Sequence, residues 1–100
     1  MLQPVVQVGT KVKWRSRPYE PWKEGEVLAF IPKWQQPHKI YPPLQNFADS
    51  QCQMGNGRTG ASSLDRYLIR VDRIGAKGQV LKPVYFAPSA TVVERCSQVE

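Results

Sequence analysis

The chain of 100 residues contains 14 lysines and arginines against 8 aspartates and glutamates, which gives a net charge of +6 at neutral pH. A chain of this length forms one domain, here residues 1–100, with a small core. The basic excess favours an anionic partner over a cationic one. No apolar run approaches the roughly 18 residues that a membrane-spanning helix needs, so no membrane partner is expected.

Metal-ligating side chains are too few for a structural zinc site. The two cysteines, Cys52 and Cys96, are far apart, and His38 is the single histidine. A structural zinc site needs about four such ligands, so no metal site is predicted. The N-terminal residues 1–8 lack a basic segment followed by a long apolar segment, which argues against a signal peptide. We therefore expect a cytoplasmic protein with reduced thiols.

Residues 11–17 predict a first strand with one apolar and one basic face. Val12 and Trp14 share the apolar face, because the side chains of a strand alternate with a period of two. The opposite face carries Lys11, Lys13, Arg15 and Arg17. Residues 17–25 then form a loop, and residues 26–31 are almost continuously apolar, which predicts a buried central strand.

Residues 32–64 form the least regular part of the sequence. They begin with four prolines within 12 residues, at 32, 37, 42 and 43, and continue into a glycine-rich stretch. Residues 33–47 contain enough apolar side chains to pack down, with one helical turn around residues 44–49. Residues 49–63 are small and polar, so we expect a flexible, dispensable tip.

Residues 65–88 predict a β-hairpin that closes with glycines at both ends of its turn, Gly75 and Gly78. Pro83 predicts a bulge or an edge position in the second strand, because proline donates no ladder hydrogen bond. A tight turn at residues 88–91 leads into a last strand at residues 92–96. From the strand faces, the predicted core consists of Trp14, Val27, Leu28, Phe30, Ile69, Val71, Val84 and Val93.

This order of elements resembles that of the SH3-like small β-barrels. The likeness is carried by Gly9-Thr10-Lys11-Val12, by the Trp-x-x-Gly-x-Val pattern of residues 22–27, and by residues 67–71 and 87–95. It implies an all-β fold, a five-stranded SH3-like barrel. Residues 32–64 then form a long proline-rich, then glycine-rich loop between strands two and three. Such a closed sheet buries its apolar faces with few residues.

Within that class, residues 84–95 are similar to the closing segment of the plasmid-borne type II dihydrofolate reductases, which assemble a catalytic pore as tetramers. The pore of that family uses a Val-Gln-Ile-Tyr run before the proline. Here the run is Val84-Tyr85-Phe86-Ala87, so the catalytic glutamine and tyrosine are missing. The sequence also lacks a nucleophile, phosphate-loop or paired-histidine motif. No catalytic residue and no cofactor are predicted.

The basic strand face and the loop aromatics predict a non-enzymatic binding module for single-stranded nucleic acid or another polyanion. The candidate site residues are Lys11, Lys13, Arg15, Arg17, Tyr19, Trp22, Lys23 and Trp34. Three alternatives stay open. In the first, the basic row is only a solvated strand face. In the second, the protein is an accessory subunit that binds a peptide or a second copy of itself. In the third, it is an enzyme whose active site forms only at an oligomeric pore.

Overall fold

The structure, a computed structural model, describes residues 6–15, 17–54, 57 and 59–96. The strands are β1 (Lys11–Trp14), β2 (Lys23–Ile31), β3 (Cys52–Gln53), β4 (Arg66–Ile74), β5 (Val80–Phe86) and β6 (Glu94–Arg95). The helices are α1 (Pro37–Ile40) and three 3₁₀ helices at Pro42–Asn46, Asp49–Gln51 and Ala90–Val92. The strands form one sheet in the order β3-β5-β4-β2-β1-β6. The all-β prediction is confirmed, with six strands in the described residues instead of five.

The hairpin predicted at residues 65–88 is formed by β4 and β5. Ile74 pairs with Val80 next to the turn, and Gly78 has a φ of +84°, which a glycine adopts without steric cost. The register shifts between Val71 and Arg73, where β5 has one residue more than β4. The extra residue lies in the Lys82-Pro83 segment, so the bulge predicted from Pro83 is confirmed.

The sheet is strongly curved. The rings of Trp14 in β1 and Phe86 in β5 meet edge to face, with centroids 5.5 Å apart. Two strands separate β1 from β5, so in a flat sheet they would lie about 14 Å apart, three spacings of about 4.8 Å. The edge strands are β3 and β6, and in the described part of the chain they do not pair with each other, which leaves the sheet open.

The concave face of the sheet holds the first core. Its buried members are Val12, Trp14, Val27, Tyr67 and Ile69. Three other predicted core residues, Phe30, Val71 and Val93, are half-buried against this cluster. Leu28 was also expected there, but it packs on the opposite face. This follows from ordinary alternation after Val27. The bulge at Leu28 in β2, which pairs Val27 with Ile69 but Ala29 with Leu68, instead returns Phe30 to the concave face.

The convex face of the sheet holds a second core, and residues 32–64 cover it. The buried members are Ile31, Leu44, Met54, Leu68 and Tyr85. Phe47 stacks on Tyr85 with ring centroids 4.4 Å apart and planes inclined by 7°. The expectation that residues 33–47 pack down is therefore confirmed. Residues 32–64 are thus a folded layer that contains helical turns and β3.

The prediction of a flexible tip at residues 49–63 is wrong for its first part. Asp49–Gln51 is a 3₁₀ helix, and Cys52–Gln53 pairs in parallel with Tyr85 and Phe86 of β5. Met54, an apolar residue in this polar stretch, is buried in the second core and anchors the segment. Residues 55, 56 and 58 of the predicted tip lie outside the described residues.

The two ends of this layer are joined where β2 ends and β4 begins. The Lys33 N–H donates to Asp65 Oδ1 at 2.8 Å, and Arg66 Nη2 donates to the carbonyl oxygens of Gly60 at 3.0 Å and Gln35 at 3.3 Å. Arg66 is buried, and this burial lowers the pKa of its guanidinium. The side chain thus ties the start and the end of the 32–64 layer to β4.

Candidate functional site

Trp22 occupies the centre of the basic surface. It precedes Lys23, which pairs with Trp14, so Trp22 lies beside the outward side chains of β1. Arg15 Cζ is 4.1 Å and Lys13 Nζ is 4.6 Å from the centroid of the Trp22 ring. Such cation–π contacts contribute about 0.5–1 kcal/mol each at exposed sites. The ring remains 37% exposed. Two of the predicted cations are therefore held on the central aromatic ring.

A groove of about 550 Å³ lies on one side of Trp22. It lies between the start of β2 and the parts of β3, β4 and β5 that line it. Its apolar surface includes Val71, Val84 and Phe86, and its polar lining consists of Lys23, Glu24, Ser50, Gln53 and Arg73. The groove thus combines two aromatic rings with a cation on β2 and another on β4.

A second, smaller groove of about 260 Å³ lies on the other side of Trp22. Arg15, Arg17 and Glu94 provide its charged side chains. Arg17 is also within 3.8 Å of Glu20, an exposed pair of little energetic weight. The indole of Trp22 is thus a wall between two grooves, with arginines in both.

Carboxylates offset part of the charge of the basic row. Lys13 lies opposite Glu24 in β2 and Glu94 in β6, and Lys11 lies opposite Glu26. Opposite charges facing each other across strands stabilise the pairing by roughly 0.2–1 kcal/mol. Arg70 Nη2 also donates to Glu26 Oε1 at 3.0 Å. Lys11 therefore belongs to a mixed-charge network, whereas around Trp22 the cations outnumber the carboxylates.

The predicted site residues do not all come together. Tyr19 is exposed in the β1–β2 loop, at the same end of the sheet as Trp22. Trp34 follows the opposite end of β2, and the nine residues of that strand span about 30 Å. It is 66% exposed and far from the basic row. The structure thus separates Trp34 from the other seven candidates.

Three groups in the larger groove were missing from the sequence prediction. Arg73 and Phe86 could have been found, because Arg73 shares an alternating face with Val71, and Phe86 with Val84. Gln53 gave no signal, since β3 is two residues long and the surrounding sequence is polar. The place of Gln53 in the groove follows only from the pairing of Gln53 with Phe86 in the folded chain.

Outside this surface, the described residues contain no group of three or more His, Cys, Asp or Glu side chains placed to hold a metal ion. Every helix in the described ranges is too short to cross a bilayer. Cys52 and Cys96 are not bonded to each other. Comparisons of the chain with protein-family models, curated proteins and solved structures gave no match.

Proposed function

We propose that the protein binds single-stranded nucleic acid through the surface around Trp22. This Trp22 surface consists of Lys13, Arg15, Arg17, Trp22, Lys23 and Arg73, with Tyr19 at its rim. The observation that carries the proposal is the Trp22 ring, which separates two grooves and holds two cations at 4.1 and 4.6 Å. Cations bind phosphates and aromatic rings stack with bases, which is how proteins hold single strands.

The grooves favour a single strand over a duplex. Their volumes of about 550 and 260 Å³ fit parts of individual nucleotides. A base reaches an aromatic side chain in such a groove only when it is unpaired, because a paired base is stacked inside the helix. Single-strand binders use this combination of a basic groove and aromatic platforms without needing base pairs.

The test is fluorescence anisotropy with labelled oligonucleotides at several salt concentrations. Each phosphate contact should contribute about −0.7 to the log–log salt slope, so Arg15→Ala and Arg73→Ala should each flatten the slope by about that amount. The Lys39→Ala variant, with its exposed cation in α1, should bind as the wild type does. Absence of binding at low salt would refute the proposal.

A pair of tryptophan variants separates stacking from charge. Trp22→Ala should weaken binding by about 1–3 kcal/mol, the usual contribution of one stacked base, with a smaller effect on the salt slope than an arginine variant. Trp34→Ala is the matched control, because it removes an exposed tryptophan at the far end of β2. Equal losses in both variants would argue against a site at Trp22.

We also propose that the fold belongs to the SH3-like class. Support comes from the order of elements: β1, an aromatic loop, β2, the 32–64 layer, the β4–β5 hairpin, a one-turn 3₁₀ helix and a short last strand next to β1. The curvature that brings Trp14 against Phe86 is in line with a barrel. In this view, β3 is an addition that belongs to the 32–64 layer.

Self-association is a second candidate function, favoured by Trp34. This residue has a φ of +67°, in the left-handed region that side chains other than glycine rarely adopt, at a cost of about 1–3 kcal/mol. Its N–H donates to the Ser62 carbonyl at 2.6 Å, which holds the backbone in place. Rigidly presented tryptophans are common anchors of protein interfaces. Light scattering should then show a mass that rises with concentration in the wild type and not in Trp34→Ala.

A further inference from the structure

The larger groove beside Trp22 contains a side-chain amide with a defined orientation. Gln53 is the register partner of Phe86, whose ring packs against the concave core. Paired residues of neighbouring strands point to the same face of the sheet, so the Gln53 side chain lies beside the Phe86 ring. The neighbouring residue Cys52 packs into the convex core instead. Gln53 thereby presents its polar group to the groove.

The orientation of this amide follows from its hydrogen bond. Gln53 Nε2 donates to the Ser50 carbonyl oxygen at 2.9 Å. A flipped amide would bring two carbonyl oxygens together, so the nitrogen has to face Ser50. The bond therefore sets Oε1 as the acceptor that Gln53 offers to a ligand in the groove.

We propose that the groove holds one unpaired base between Trp22 and Phe86, and that Gln53 Oε1 accepts a hydrogen bond from the exocyclic amino group of that base. This inference rests on the proposed binding of single-stranded nucleic acid. Lys23 and Arg73 in the lining supply charge complementarity for the adjoining phosphates. A volume of about 550 Å³ lies within the usual range of small-molecule sites.

The chemistry of the acceptor determines the preference. Cytosine and adenine carry an amino group next to a ring nitrogen, so they offer a donor to Oε1. Uracil and thymine offer only a ring N–H that lies between two carbonyl oxygens, so repulsion from both oxygens weakens a bond from this N–H to Oε1. Gln53 therefore makes the site selective for bases with an amino group over uracil or thymine. The segment of residues 49–54 supplies the base-reading group, and the sheet supplies the aromatic surface.

Hexamers of deoxycytidine and deoxyuridine form the sharpest probe pair, because their rings have the same size and differ only at the hydrogen-bonding edge. We expect the wild-type protein to prefer the cytidine hexamer by about three- to tenfold, the range of one net hydrogen bond. Gln53→Leu keeps a similar volume without an acceptor, so it should equalise the two affinities while keeping the salt slope. Gln45→Ala, an exposed glutamine in the Pro42–Asn46 helix, is the control and should leave the preference unchanged.

A modified ligand tests the same bond without changing the protein. A cytidine hexamer with two methyl groups on each N4 has no amino hydrogen, so it should bind the wild type as weakly as the deoxyuridine hexamer does. Equal wild-type affinities for cytidine and deoxyuridine, or a preference that survives Gln53→Leu, would overturn the base-reading role and leave the proposed function standing. Failure of both hexamers to bind at low salt would overturn both proposals.

Discussion

Leu44→Ala tests whether residues 32–64 are a structural layer. Leu44 lies in the 3₁₀ helix Pro42–Asn46, and its side chain is fully buried in the second core beside Ile31, Leu68 and Tyr85. The substitution removes three carbon atoms from this cluster. At about 0.8 kcal/mol for each buried carbon, transfer alone costs about 2.4 kcal/mol.

Together with the cavity that the sheet under Leu44 cannot collapse to fill, the total cost of such a substitution lies within about 2–5 kcal/mol. A domain of this size has a free energy of unfolding of about 5–15 kcal/mol in total. Each kcal/mol shifts the melting temperature by about 4–8 °C at this chain length. We therefore expect the melting temperature of Leu44→Ala to fall by at least about 8 °C.

The assay is urea unfolding followed by tryptophan fluorescence, together with a thermal melt by circular dichroism. Leu64→Ala is the matched control, because Leu64 is 53% exposed and its loss should change stability by less than about 0.5 kcal/mol. If Leu44→Ala and Leu64→Ala both had the melting temperature of the wild type, Leu44 would not be part of a core, and residues 32–64 would not be a structural layer.

Two further changes test the sheet itself. Gly25→Ala should destabilise the fold by about 1–3 kcal/mol in urea unfolding, because the new Cβ would lie 2.5 Å from the Arg70 carbonyl oxygen and 2.6 Å from Ile69 Cγ2. In the control Gly9→Ala the new Cβ meets no atom within 4 Å, although the φ of Gly9 is positive. A smaller loss of stability at Gly25 than at Gly9 would contradict the close approach. Burial raises the pKa of Tyr85, so the folded state holds that proton more tightly than the unfolded state. Stability should therefore be highest below pH about 10 and fall as the pH rises through the folded pKa. Tyr85→Phe should show a shallower decline above that pH, and an unchanged decline would contradict the assignment.

Sequence periodicity predicted the parts of the fold in which one face of a strand is apolar. The alternation of Val12 and Trp14 with lysines located β1, although the strand ends at Trp14 and not at residue 17. The glycines around the turn located the β4–β5 hairpin. The all-β class followed from these local patterns, because each depends only on neighbours in the sequence.

The faces of Ala29, Phe30 and Ile31 could not be predicted in this way. Residues 27–31 of β2 are all apolar, so alternation does not say which of these side chains share a face. A one-residue bulge then decides the matter, and its position depends on the pairing with β4, a contact distant in sequence. The same limit applies to Met54, an isolated apolar residue in a polar stretch whose burial depends on tertiary packing.

The candidate site was predictable to the extent that its residues are on β1 or next to it. Lys13, Arg15 and Trp22 were identified from alternation and from loop composition, and they do lie together. The opposite wall of the groove comes from β3, β4 and β5. Alternation could have marked Arg73 as a neighbour of Val71, but that Arg73 and Gln53 face Trp22 follows only from the curvature of the sheet. Single-strand patterns contain no information on that curvature.

The burial of β4 on both faces has a consequence for its register. In most strands a slip by one residue is prevented because it would turn polar side chains inward. Leu68 and Ile69 are adjacent and both fully buried, on opposite faces, so exchanging them would cost little in polarity. The alignment of β4 must therefore be fixed by features without a twofold repeat. Arg66 is one, since its guanidinium reaches the carbonyl oxygens of Gly60 and Gln35 in one alignment only. The two hydrogen bonds of the buried Arg66 guanidinium thus fix the register of the central strand β4.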